Sequence, residues 1–285
     1  MGADNAVPPA HRLVLTAPEW TLLVRRTGLT PPPGFAVLDE PEPDVLRAAG
    51  QELAARGVVT IDDDPLKCRP VGPVLANLAT LVAARAVLRV EVSVEGRSAR
   101  AVLAVAGPAG AALVGLVGGA VELSMFEAVA LGRELVRLVP AVRDLTGATA
   151  GRLGPALGGG SDSRVSGRLP LAALAEYARS GDLAGAAGRA EAVAALELTA
   201  TQVRLVEQVQ ARTTGVLRVV VSGRRGAGVG VAQVVWLATG DGWLGLRPEP
   251  DGSGRRMVAV RPVSREEIGL WLAPYLGQFV EDGDG

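Results

Sequence analysis

With 285 residues the chain is long enough to bury a substantial core, as one large domain or two small ones. Its 29 basic and 30 acidic residues leave a formal net charge of −1, so the overall balance exerts no pull toward nucleic acid, a membrane surface or another polyanion. One cysteine, Cys68, and one histidine, His11, exclude an internal disulfide and leave only His11 for any Ser-His-Asp or Cys-His catalysis.

From the N-terminus, residues 1–15 read as a tail without the charged and apolar regions of a signal peptide. Thr16 is placed to cap a helix over APEWTLLVRRTG, with Pro18 and Glu19 in its first turn and Gly28 at its end. A second helix is expected over Pro43–Arg56, a short strand at VVT, an acidic turn at Asp62-Asp63-Asp64, and a third helix over Val71–Ala86. The segment Ala86–Val105 reads as a hairpin. Two short strands split by Gly118-Gly119 follow, then a helix over Glu127–Val139. No run of about 18 apolar residues is present, and the chain is expected to be soluble and cytoplasmic, without membrane insertion.

Residues 147–168 are rich in Gly, Ser, Ala and Arg and read as a flexible linker or long loop. Beyond it the pattern repeats. Helices are expected from Pro170 to Arg179 and over Ala187–Arg212, then a second hairpin at Gly215–Leu237, two more strands, and a closing helix opened by the Ser264/Glu267 capping box. Leu88-Arg89-Val90 recurs 129 residues later as Leu217-Arg218-Val219. The expected fold class is therefore α+β. Two quasi-two-fold repeated halves, 13–146 and 169–277, form one domain around a central antiparallel sheet flanked by helices.

Within the hairpins one face is apolar: Leu88, Val90, Val92 and Val94, and likewise Leu217, Val219 and Val221. The other face mixes Arg89, Glu91 and Ser93 with Arg218, Val220 and Ser222, and is read as joined across the turn by Val234 and Trp236. A partly apolar open face is a contact surface in waiting. Trp20, Trp243 and Trp271 are expected in the core and Trp236 as a partner contact.

Little else points to chemistry. The turn SGRRGAGVG has the glycines of a phosphate loop, but it lies between two strands and lacks the Gly-Lys-Ser/Thr that opens a helix. Three consecutive aspartates point in different directions, and no calcium-loop spacing follows them. Cys68 is expected as a buried or half-buried thiol. No catalytic, metal or cofactor residues are assigned, and an enzyme is not expected. A second functional class is a DNA-binding regulator that uses the arginine hairpin at 223–230, against which stand the balanced charge and the lack of a basic recognition helix.

The stretches PEWTLLVRRTGLTPPPGF, DVLRAAGQELAARGVV and GVLRVVVSGRRGAGVGVAQVVWLATGDGWLGLRPE, with a closing helix, resemble the EspG family of secretion-associated proteins of actinobacteria. The resemblance spans about residues 13–277 and rests on patterning. It implies a cytosolic chaperone of the ESX, or type VII, secretion pathway that keeps a helical-hairpin client soluble, of PPE-like or WXG type. It implies client contacts through the sheet and the C-terminal helical part. Carried over by position, the partner-binding residues are Arg89, Glu91, Arg218, Val220, Val234 and Trp236, with no nucleic-acid partner. A homodimer through either sheet face stays open.

Overall fold

The computed structural model describes residues 11–141, 165–175, 194–225, 228–250 and 255–280. Strand β1 (His11–Leu15) leads into α1 (Ala17–Thr27) and α2 (Pro43–Ala55). A two-stranded ribbon of β2 (Val59–Thr60) and β3 (Arg69–Pro70) precedes α3 (Gly72–Val82). Four strands follow: β4 (Ala86–Val94), β5 (Arg97–Ala106), β6 (Ala109–Gly115) and β7 (Val121–Glu127). Helix α4 (Leu131–Leu138) comes next, and later β8 (Gly167–Pro170) and α5 (Ala200–Arg212). Strands β9 (Thr213–Arg225), β10 (Gly228–Thr239), β11 (Gly242–Pro250) and β12 (Arg256–Val263) then lead to α6 (Ile268–Val280).

Local chemistry accounts for the element ends. Thr16 Oγ1 accepts a hydrogen bond from the Glu19 amide, and a Glu19 carboxylate oxygen accepts from the Thr16 amide at 2.7 Å. Those two bonds satisfy donors that a helix start leaves free, and Gly28 stops α1 at φ 65°, a left-handed turn that suits glycine. The closing capping box forms too, with Glu267 accepting from the Ser264 amide at 2.9 Å.

Ten strands make one antiparallel sheet in the order β1-β7-β6-β5-β4-β9-β10-β11-β12-β8. The seam between the strands before and after the Gly-rich segment is β4 against β9, where Leu88 pairs with Val221 and Val92 with Leu217. Three apolar clusters sit on it. On one face Leu88, Val90, Leu217, Val219, Trp236 and their neighbours are covered by α4 and α6. On the other face, α1, α2 and α3 cover β1, β5, β6 and β7 around Leu15, Trp20, Leu113 and Leu123. Farther along that second face, α5 packs beside β8 over Leu244 and Val260.

The structure changes several expectations. Residues 11–15 are an edge strand, because Leu13 and Leu15 are drawn into the cluster under α1 and His11–Leu15 pairs with Val121–Met125. Strand β8 begins at Gly167, inside the segment expected to be a linker, and pairs with β12; 147–164 lie outside the described residues. The helix expected over Ala187–Arg212 is interrupted. Glu197 adopts φ 50°, and Thr199 with Gln202 builds a fresh capping box, so α5 starts at Ala200; 187–193 lie outside the described residues. The helix expected from Pro170 is seen at residues 171–175, and 176–179 lie outside the described residues.

Candidate functional site: the open face of the central strands

Backbone register decides which side chains reach this face. Directly opposite residues of an antiparallel pair project to the same side. Arg89 is opposite Val220, and Glu91 is opposite Arg218. Arg89, Glu91 and Arg218 are exposed and Val220 is half-buried, so four of the six residues expected to bind a partner share one patch. The Arg218 Nε donates to the Gln233 side chain at 3.2 Å, whereas Arg89 and Glu91 make no ion pair among the described residues.

Val234 and Trp236 lie on the opposite side. Arg225 pairs with Gly228, so odd positions of β9 stand opposite even positions of β10: Val219 opposite Val234, and Leu217 opposite Trp236. Val234 is 3% exposed and Trp236 0%. The Trp236 ring lies 5.7 Å from Trp271, edge-on, and 6.3 Å from Trp243, beneath the helices. Placing them on the open face fails because the expectation carried odd-even parity straight across the turn, and the turn inverts it. All four tryptophans therefore belong to core packing, and the partner contact expected of Trp236 is not available. Trp236 is the fully buried anchor, while Trp271 is half-buried, with the Arg261 guanidinium 5.2 Å from its ring centre.

Arg218 and Val220 also share this face with Val216, Ser222 and Arg224 on β9 and with Val229, Val231, Gln233, Val235 and Leu237 on β10. Val229 is 74% exposed and Val231 68%, unusual for valines in a strand. Counting residues back from the Arg225–Gly228 pair is the signal in the sequence that would have found them. Beside the strands stands α3, which packs on β5 and β6. It carries no charged residue, and Leu75, Ala79 and Val82 are exposed at the i, i+4, i+7 spacing of one helix stripe. Toward β12, Gln233 and Val235 also line a cleft of about 940 Å³ whose other walls include Leu171, Leu174, Leu246 and Met257. The open face and the cleft are thus continuous through β10.

The glycines of the arginine hairpin have a packing role. Gly223 and Gly230 are directly opposite, and a Cβ on either would come within 2.6 Å of the Phe279 ring. The two bare positions make the seat for Phe279, itself 4% exposed. Asp64 accepts from the Leu66 amide at 2.9 Å, an ordinary turn bond, and Asp62 pairs with Arg69. No group of three metal-binding side chains occurs among the described residues. Cys68 is 1% exposed; burial pushes its thiol pKa up, against a smaller opposing pull from the Arg26 guanidinium. No helix among the described residues is long and apolar enough to cross a membrane.

No family model and no curated protein matches the sequence. A solved structure does match: the type VII secretion system chaperone EspG5 of Mycobacterium tuberculosis, in complex with a PE25–PPE41 dimer. The superposition covers 94% of this chain and 96% of that one, with a TM-score of 0.63 at 14% sequence identity. The chain has the EspG fold.

Proposed function

We propose that this chain is a chaperone of the type VII secretion pathway that binds a helical-hairpin client, PPE-like or WXG-type, and keeps it soluble in the cytoplasm. The observation that carries the reading is the shared fold over nearly the whole length of a chaperone solved with a PE–PPE dimer. The open face supports it: Arg89, Glu91, Arg218 and Val220 form an exposed, mixed surface on the central strands. The partner-binding set is accordingly these four, with Val216 and Val231 added and Val234 and Trp236 removed. We also read the two halves, 13–146 and 169–277, as a duplication forming one domain. The strand order, five strands on each side of the β4–β9 seam, favours that reading.

The test is co-expression with the helical-hairpin proteins encoded beside this chain's gene, followed by size-exclusion chromatography. A co-eluting complex is the expected result. Failure of every such neighbour to co-elute would contradict the proposal. The DNA-binding alternative predicts a gel shift that fades steeply as salt rises; none is expected.

A further inference from the structure

The open face is not electrically neutral, although the chain as a whole nearly is. Arg89 on β4, Arg100 on β5, and Arg218 and Arg224 on β9 share this side of the sheet, as the pairings Arg89–Val220 and Glu91–Arg218–Val235 and Glu91–Arg100 require. All four are exposed. The strand carboxylate among them is Glu91. None of the four arginines has an ion-pair partner among the described residues; Arg100 donates to the Gly34 carbonyl at 3.2 Å and Arg218 to Gln233. Several exposed arginines elsewhere are paired: Arg47, Arg69, Arg168, Arg255 and Arg261 each meet a carboxylate within 4 Å. What marks this face is the gathering of four such guanidiniums around a single strand carboxylate, next to exposed valines.

The apolar part is equally local. Val220 lies between Arg218 and Arg224, Val216, Val229 and Val231 flank the arginines, the uncharged stripe of α3 stands on the other side, and the cleft opens from Val235. A nucleic acid would satisfy the guanidiniums and leave valines, stripe and cleft without a partner. A helical protein surface with carboxylates around an apolar centre satisfies both, since opposed potentials set register and exclude wrong partners.

We infer that the client presents an acidic docking surface, with aspartate or glutamate side chains opposite Arg89, Arg218 and Arg224 and apolar residues beside them that meet Val216, Val231 and the cleft. This rests on the chaperone reading and adds to it the charge class that the face selects.

The experiment uses two designed helical hairpins as probes, identical in their apolar tip residues, one with glutamates and one with lysines around that tip. Binding to the full chain is measured by titration calorimetry, with a duplex DNA of arbitrary sequence as a third ligand. The acidic probe is expected to bind at least roughly tenfold more tightly than the basic one, and to weaken as sodium chloride rises from about 50 to about 500 mM. Arg89→Glu with Arg218→Glu should reverse the preference, while Arg89→Lys with Arg218→Lys should keep it. Circular dichroism checks that each variant melts as the parent does. Equal binding of the two probes, tighter binding of the basic probe, failure of the acidic probe to bind, or preferred binding of DNA would each overturn the inference. The parent reading fails separately: a neighbour-encoded client that binds wild type and the double Glu variant alike sinks only the charge assignment, whereas no neighbour binding at all sinks the chaperone reading.

Discussion

The two sides of strand β9 differ by one residue of register and by everything else. Leu217, Val219 and Val221 are fully buried beneath α4 and α6, whereas Val216 and Arg218 stand exposed and Val220 half-exposed on the other side. The buried side is closed by long-range packing: Trp236 meets Trp271 edge-on and Trp243 at a tilt, and at Gly245 a Cβ would come within 2.5 Å of the Trp271 ring. A strand with one sealed and one open face puts its stability on the first and leaves the second free to vary for recognition.

The largest expected effect breaks the sealed side. Trp236→Ala should cost about 3–5 kcal/mol in urea denaturation, the range for emptying a large aromatic from a core. Trp236→Phe should cost much less, because the Trp236 indole N–H has no hydrogen-bond partner among the described residues and nothing polar is lost with it. Next comes the seam. Gly215→Ala would place a methyl 2.2 Å from the Ser93 carbonyl oxygen, a clash with backbone, and about 1–3 kcal/mol of destabilisation is expected by thermal melting. Arg218→Glu, on the open side, should change stability by no more than about 0.5 kcal/mol, as surface substitutions do, while weakening client binding. Its effect on melting separates the two faces: a loss as large as that of Trp236→Ala would erase the distinction. The smallest effect concerns Cys68. Its buried, raised-pKa thiol should react with a thiol reagent at neutral pH only as fast as the protein opens, and full reaction on mixing would contradict that burial.

Much of the fold was legible because it is written locally. The Thr16–Glu19 and Ser264–Glu267 boxes, the left-handed Gly28 and the alternation of Leu88, Val90 and Val92 each depend on residues a few positions apart. Features that depend on partners far along the chain were not. His11–Leu15 is a strand only because Val121–Met125 offers it an edge, and Gly223 and Gly230 are bare because Phe279 needs the space. Trp236 falls between these cases. Its strand was evident, but its side follows from the register of the turn, and a shift of one residue turns every side chain over. The exposed valines 229 and 231 were hidden by the same inversion. The fourfold excess of arginine on the open face needed the pairing of β5, β4 and β9 to become visible.

The central claim is that a client covers the open side of β9 and leaves the sealed side untouched. It is tested most directly by thiol labelling of two single variants in a Cys68→Ala background, Val216→Cys and Val219→Cys, with and without a bound neighbour-encoded client. Val216 is 37% exposed and Val219 0%. The cysteine at 216 should label rapidly in the free protein and become protected in the complex, while the one at 219 labels slowly in both. Rapid labelling at 216 that persists when the client is bound would contradict the account.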